Sequence, residues 1–150
     1  DDAAQCLLTE LAELPLNPAR IHQAQAPKLQ GNILYAEDCV EAQGLVNLLV
    51  AKTGAKMTVA DNGAEAFSYA ASHSYDLILM DMEMPVMNGY DATHKIRKAG
   101  NNTPIVALTA NVMSDDIEEY MKAGCNEFLA KPIEKEKFYG VLSEYLEVVD

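Results

Sequence analysis

Apolar residues recur along this chain in short runs separated by longer stretches of helical spacing. Ile33-Leu34-Tyr35-Ala36 is a four-residue apolar run, and Val40 to about Thr53 then follows a helical pattern that Gly54 closes. Met57-Thr58-Val59-Ala60 predicts a second strand, after which Asp61-Asn62-Gly63 turns into a helix reaching about His73. Asp76-Leu77-Ile78-Leu79-Met80 is the most apolar run and the best candidate for the centre of a sheet. A loop with Pro85 and Gly89 leads into a helix ending near Lys98. Pro104 to Leu108 predicts the fourth strand, Val112 to Ala123 the fourth helix, Glu127 to Ala130 the fifth strand and Glu134 to Val148 the last helix.

Five strands that alternate with five helices, the strands nearly all apolar, imply a parallel sheet buried on both faces. Right-handed crossovers turn that order into a doubly wound α/β fold, flavodoxin-like (βα)5 with strand order 2-1-3-4-5. Function in such folds sits beyond the carboxyl ends of the strands. The pattern changes near residue 30. Cys6, Leu7, Leu8, Leu11 and Leu14 fit one short helix over residues 4–14, whereas Pro15, Pro18 and Pro27 make residues 17–30 a linker. The expected division is residues 1–30 as a linker with a short helix and residues 31–150 as the domain. A chain starting at Asp1 with no charged-then-apolar leader reads as a piece of a longer protein.

Composition narrows the function. The 150 residues carry a net charge of −12, which argues against direct nucleic-acid binding because that depends on Lys and Arg displacing counterions. No apolar run approaches the roughly 20 residues of a membrane span, so no membrane contact is expected. Cys6, Cys39 and Cys125 form no CxxC pair and no ligand spacing with His22, His73 or His94. They read as small hydrophobes of a reducing cytoplasm.

The residues ending the strands carry the chemistry. The first strand ends in Glu37 and Asp38, the third in Asp81, the fourth in Thr109, and the fifth runs into Lys131-Pro132. Strands one, three and four are neighbours in this topology, which brings three carboxylates into one crevice. Two carboxylates about 4 Å apart repel by roughly 4 kcal/mol at an effective dielectric near 20, so three call for a cation. Hard oxygen ligands in small number suit Mg2+, and the thiol or imidazole cluster that zinc needs is missing from the pattern. Asp81, on the central strand, can act as a carboxylate nucleophile toward phosphorus. Lys131 and the metal would neutralise phosphoryl charge, with Thr109 and the Ala110 N–H as further donors. Taken singly, Asp38 reads as readily as a helix cap, Thr109 more often as a β-branched core residue and Lys131 more often as a solvated charge. Together, all of them fall at successive strand ends in the right order, which chance seldom supplies.

The segment from Asp76 to Gly89, with Asp81-Met82-Glu83-Met84-Pro85 at its centre, resembles the phosphorylation-site signature of the response regulator receiver family. Asn32 to Asp38 resembles that family's acidic-pair strand, and Ile105 to Ala110 and Phe128 to Pro132 resemble its switch and lysine strands. The likeness covers roughly residues 32–148, and its wording is most similar to receivers attached to hybrid sensor histidine kinases. The resemblance implies Mg2+ held by Asp38, Asp81 and the backbone carbonyl of Glu83, with Glu37 acting through water. It implies Asp81 as phospho-acceptor, Lys131 as phosphoryl contact, a cis Lys131–Pro132 peptide, and Thr109 and Phe128 as switch residues. It further implies that the domain catalyses its own phosphorylation and dephosphorylation, within a parent that is a hybrid histidine kinase. The implied partner is a histidine kinase or a histidine phosphotransfer domain. Cys39 and Gln43 depart from the family pattern, standing where many hybrid-kinase receivers carry Asn.

Three other readings compete. A haloacid-dehalogenase-type phosphatase wants a second Asp two residues after the nucleophile, where this chain has Glu83. A flavodoxin needs a Ser/Thr/Gly-rich phosphate loop after the first strand, where this chain has Glu37-Asp38-Cys39-Val40. A non-phosphorylated pseudo-receiver serving as an interaction module is the alternative from a different class.

Overall fold

The computed structural model describes residues 26–149. In chain order the elements are β1 (Leu29–Gln30), β2 (Asn32–Ala36), α1 (Val40–Ala51), β3 (Lys56–Ala60), α2 (Gly63–Ser72) and β4 (Leu77–Asp81). There follow α3 (Gly89–Lys98), β5 (Ile105–Thr109), α4 (Ser114–Ala123), β6 (Glu127–Ala130), α5 (Lys135–Tyr145) and β7 (Glu147–Val148). Five parallel strands form one sheet in the order β3-β2-β4-β5-β6, which is the expected 2-1-3-4-5 once β1 is set aside.

The period-two alternation of a strand explains how the sheet is covered. Ile33, Tyr35, Leu77, Leu79, Val106 and Leu108 cluster with Val46 and Leu49 of α1 and with Phe138 and Leu142 of α5. Their neighbours Leu34, Ile78, Met80, Ile105 and Ala107 cluster with Ala66 of α2, Ile96 of α3 and Tyr120 of α4. Each fully buried Leu or Ile contributes roughly 1.5–3 kcal/mol, so β4, buried along its whole length, anchors both halves of the core.

Local chemistry sets where the helices begin and end. Asn62 caps α2 by accepting from the Glu65 N–H at 2.9 Å, and Asn88 caps α3 by accepting from the Asp91 N–H at 2.8 Å. Gly54 follows α1 at φ 88°, a left-handed conformation that costs a glycine little.

Two findings depart from the sequence pattern. The last helix stops at Tyr145 rather than continuing to Val148, and the chain turns extended at Leu146. Leu29 and Gln30, expected in a linker, pair antiparallel with Val148 and Glu147 as β1 and β7. Leu29 is 3% exposed and belongs to the core on the α1 and α5 side. Pairing across more than a hundred residues leaves no local signature, and Leu142, Tyr145 and Leu146 keep a helical spacing up to the break. The short helix expected over residues 4–14 lies outside the described residues.

Candidate functional site

Every predicted site residue except Phe128 lies at or just beyond the carboxyl edge of the five-stranded sheet, and parallel pairing is what puts them there. Ala36 pairs with Met80 and Asp81 with Leu108, so Glu37, Asp81 and Thr109 emerge from three adjacent strands. Thr109 pairs with Ala130, which places Lys131 one strand further on. Carboxylate oxygens of Glu37, Asp38 and Asp81 all lie within 4.8 Å of one another. Glu37 and Asp81 are buried and Asp38 is exposed.

Lys131 ties the cluster together. Its Nζ stands 3.1 Å from Asp81 Oδ1 and 3.2 Å from Glu37 Oε1. The Glu83 N–H donates to the same Asp81 Oδ1 at 3.1 Å, and the Tyr35 hydroxyl donates to Glu37 Oε1 at 3.4 Å. The Lys131–Pro132 peptide is cis, as the resemblance implied. One ammonium cannot balance three carboxylates. Burial pushes the Glu37 carboxyl up to about 8, and the shared hydrogen bond and charge of Asp81 add to this against the pull of Lys131. Burial pulls the Lys131 ammonium down, but Asp81 and Glu37 outweigh it and raise it above its ordinary value. Lys131 therefore stays charged.

A pH dependence of stability follows for the metal-free protein. The folded state holds the Glu37 proton more tightly than the unfolded chain, whose carboxyl titrates near 4.5. The resulting stabilisation is fully present below about 4.5 and is lost as pH rises through about 8. Urea unfolding with chelator is expected to show the parent losing on the order of 1–3 kcal/mol between those limits. Glu37→Gln should lack this loss, and equal pH slopes in the two proteins would refute the assignment.

Thr109 and Phe128 differ in setting from the four groups above. The buried Thr109 hydroxyl is turned to the α4 side, where Oγ1 accepts from the Asn111 N–H at 2.9 Å and lies 3.3 Å from the Tyr120 hydroxyl. Phe128, on β6, is 37% exposed and is not a core ring. The Glu83 carboxylate accepts from Asn111 Nδ2 at 2.7 Å, bridging the β4–α3 and β5–α4 loops. Gln43 Nε2 donates both to the Glu37 carbonyl and to Asp61 Oδ1, so this departure from the family pattern braces two strand-end loops. The Cys39 thiol donates to the Glu41 carboxylate at 3.3 Å, a contact internal to the start of α1.

Strand-end position does not single out Tyr35, Asn111 or Tyr120, and Gln43 stands out in the sequence only as a departure from the family pattern. Tyr35 was within reach of the sequence, since residues two apart share a strand face. Asn111, two residues after Thr109, fits a hydroxyl turn. Gln43 and Tyr120 meet the site only through loop and helix placement.

Oxygen donors, an excess of negative charge and one fixed ammonium suit a small hard divalent cation. Among the described residues this is the one acidic or thiol–imidazole group of ligand geometry. No helix among the described residues is long and apolar enough to cross a membrane.

Comparison with known proteins agrees. The model of the family described as response regulator receiver domain matches residues 33–143. The chain is 33% identical over 143 residues to transcription factor SKN7 of Candida albicans, covering 95% of this chain and 26% of that protein. It is 35% identical over 120 residues to hybrid signal transduction histidine kinase I of Dictyostelium discoideum, covering 74% of this chain and 7% of the kinase. The chain thus spans about a quarter or less of these relatives. Among solved structures it is similar to the receiver domain of sensor histidine kinase PA1611 from Pseudomonas aeruginosa, whose active site cleft coordinates a magnesium ion. That match has a TM-score of 0.72 at 36% identity, over 77% of this chain and 97% of the other. It is also similar to the receiver domain of Saccharomyces cerevisiae Ssk1, solved in complex with the histidine phosphotransfer protein Ypd1. There the TM-score is 0.73 at 30% identity, over 80% and 90% of the chains. Fold, strand-end chemistry and these matches agree, and the chain belongs to the response regulator receiver family.

Proposed function

We propose that this domain accepts a phosphoryl group from a phosphohistidine onto Asp81 in a Mg2+-dependent reaction. The observation that carries this reading is Lys131 Nζ seated between Asp81 and Glu37 at the end of the central strands. An Asp81 carboxylate oxygen forms the new O–P bond as the N–P bond of the donor breaks, and the electron pair leaves with the imidazole nitrogen. Lys131 stays charged and stands ready to neutralise the phosphoryl oxygens. Asp38, Asp81 and the backbone carbonyl of Glu83 would hold Mg2+, with Glu37 beside them. When bound, the ion supplies further positive charge against the phosphoryl group.

The surroundings of the crevice favour a protein donor. Val40 is 73% exposed at the start of α1, two residues after Asp38, and Leu48 lies two turns further along the same helix at 51%. Val86, Val112 and Met113, in the loops after β4 and β5, are also exposed. Apolar side chains around an acidic crevice suit a histidine kinase or histidine phosphotransfer domain that brings its imidazole to Asp81. The likeness to the Ypd1-bound receiver supports the same kind of partner. Thr109 and Phe128 share one sheet face by strand parity, since Phe128 pairs with Ala107 and Ala107 lies two residues before Thr109. This supports their reading as the switch that reports phosphorylation.

Incubation with acetyl phosphate, with Mg2+ or with chelator, tests the proposal by intact mass. One phosphoryl mass gained only with Mg2+ is expected. No gain under either condition would favour the pseudo-receiver. Asp38→Asn should weaken Mg2+ binding about tenfold or more in a fluorescence or NMR titration and slow phosphorylation in parallel. Without metal it should be as stable as the parent or more so, because one like charge leaves the cluster. Unchanged Mg2+ affinity would remove Asp38 from the site.

A further inference from the structure

Thr109 is 1% exposed and its hydroxyl has one hydrogen to give and two lone pairs to fill. Asn111 N–H fills one of them at 2.9 Å, and the Asn111 carbonyl stands 3.2 Å away as an acceptor. With the Thr109 hydrogen given to that carbonyl, the second lone pair faces the Tyr120 hydroxyl at 3.3 Å. Tyr120 is 9% exposed and packs among the apolar residues between the sheet and α2, α3 and α4. Its ring needs only the core, but its hydroxyl needs a partner there. Phe128, in contrast, is 37% exposed.

We infer that Tyr120 is a positioning residue that latches Thr109 toward α4 and away from Asp81 in the unphosphorylated domain. The inference deepens the proposed phospho-acceptor function and rests on it. For the Thr109 hydroxyl to turn toward a phosphoryl group on Asp81, it must leave both Asn111 and Tyr120. The buried Tyr120 hydroxyl then loses its bond and has to find water or another acceptor, which moves the ring or the helix carrying it. The latch opposes the active arrangement before phosphorylation and passes the change to α4 after it. Tyr120→Phe keeps the ring and removes only the bond that favours the outward state, so the equilibrium shifts inward.

Mg2+ with beryllofluoride, a phosphoryl mimic, gives the test when titrated into the parent, Tyr120→Phe, Thr109→Val and the double variant. Tyr120→Phe is expected to lower the beryllofluoride midpoint about threefold to tenfold, the size of one hydrogen bond. In the Thr109→Val background the same change should shift it less than about twofold, since the latch has already lost its partner. In the free protein, the Thr109 and Asn111 amide resonances of Tyr120→Phe should lie part of the way along the parent's path from free to beryllofluoride-bound. A midpoint in Tyr120→Phe equal to or weaker than the parent's, or an equal gain in both backgrounds, would overturn the latch alone. A parent that gives no response to Mg2+ and beryllofluoride would overturn the phospho-acceptor reading and the latch with it.

Discussion

Asp81→Asn is expected to stay at its unmodified mass under acetyl phosphate and Mg2+ conditions that fully phosphorylate the parent. The rate should fall at least about a hundredfold, because an amide oxygen does not replace a carboxylate nucleophile. Two neighbouring carboxylates are the available substitutes, and each is a poor one. Glu37 is buried and both its oxygens already accept hydrogen bonds, Oε1 from Lys131 and the Tyr35 hydroxyl and Oε2 from the Cys39 N–H. Asp38 is exposed and lacks the Lys131 contact that Asp81 has. Loss of chemistry is separable from loss of fold in this variant. Asn has the shape of Asp, and its carbonyl can still accept from the Glu83 N–H. Removing the Asp81 charge also takes away one of the causes that raise Glu37, so the urea midpoint at pH 8 should rise. A variant that gains phosphoryl mass as readily as the parent would move the acceptor to another residue.

Gly89→Ala is expected to cost the most stability of any methyl-sized change at the site. A Cβ at Gly89 would meet the Asp81 carbonyl oxygen at 2.1 Å, and the Asp81 carbonyl carbon and the Met80 side chain at 2.8 Å. Two of these three are backbone atoms of the central strand and cannot rotate away. Either α3 or the end of β4 must shift, at about 2–4 kcal/mol. Displacing β4 also displaces Asp81, and an error near 1 Å at a reacting group can slow chemistry about a hundredfold. Gly44→Ala is the matched control, since nothing lies within 4 Å of a Cβ there. It should be neutral or stabilising by up to about 1 kcal/mol, as expected for a helix interior. Urea unfolding and phosphorylation rates of both variants check the contrast. Equal stability in the two would mean that α3 has room the structure does not show.

Asp81 and Gly89 differ in how far the sequence alone reveals their roles. Asp81 was readable because it ends the most apolar run of the chain, and a central parallel strand has to be apolar on both faces. Glu37, Asp38, Thr109 and Lys131 were readable by position, each just after an apolar run whose topology leads to one edge. Gly89 was readable only as part of a loop, because the atom it must avoid is the Asp81 carbonyl, on a different element. The orientation of Thr109 was not legible at all. A hydroxyl at a strand end can face the crevice or the helix, and the choice depends on Asn111 and on Tyr120, eleven residues away on α4.

The sequence by itself determined the alternation of strands and helices, the parallel sheet and the acidic edge, because these follow from periodicity and from residues adjacent in the chain. The tertiary structure alone decided three other things. It joined β1 to β7 through pairing between Leu29 and Val148, ending α5 at Tyr145. It set Lys131 between Glu37 and Asp81, giving the crevice its charge balance. It turned Thr109 toward Tyr120 and left Phe128 exposed. Each of the three is a contact between residues far apart in the chain or a choice among side-chain rotamers. Such contacts depend on how packed elements meet, which local pattern does not encode.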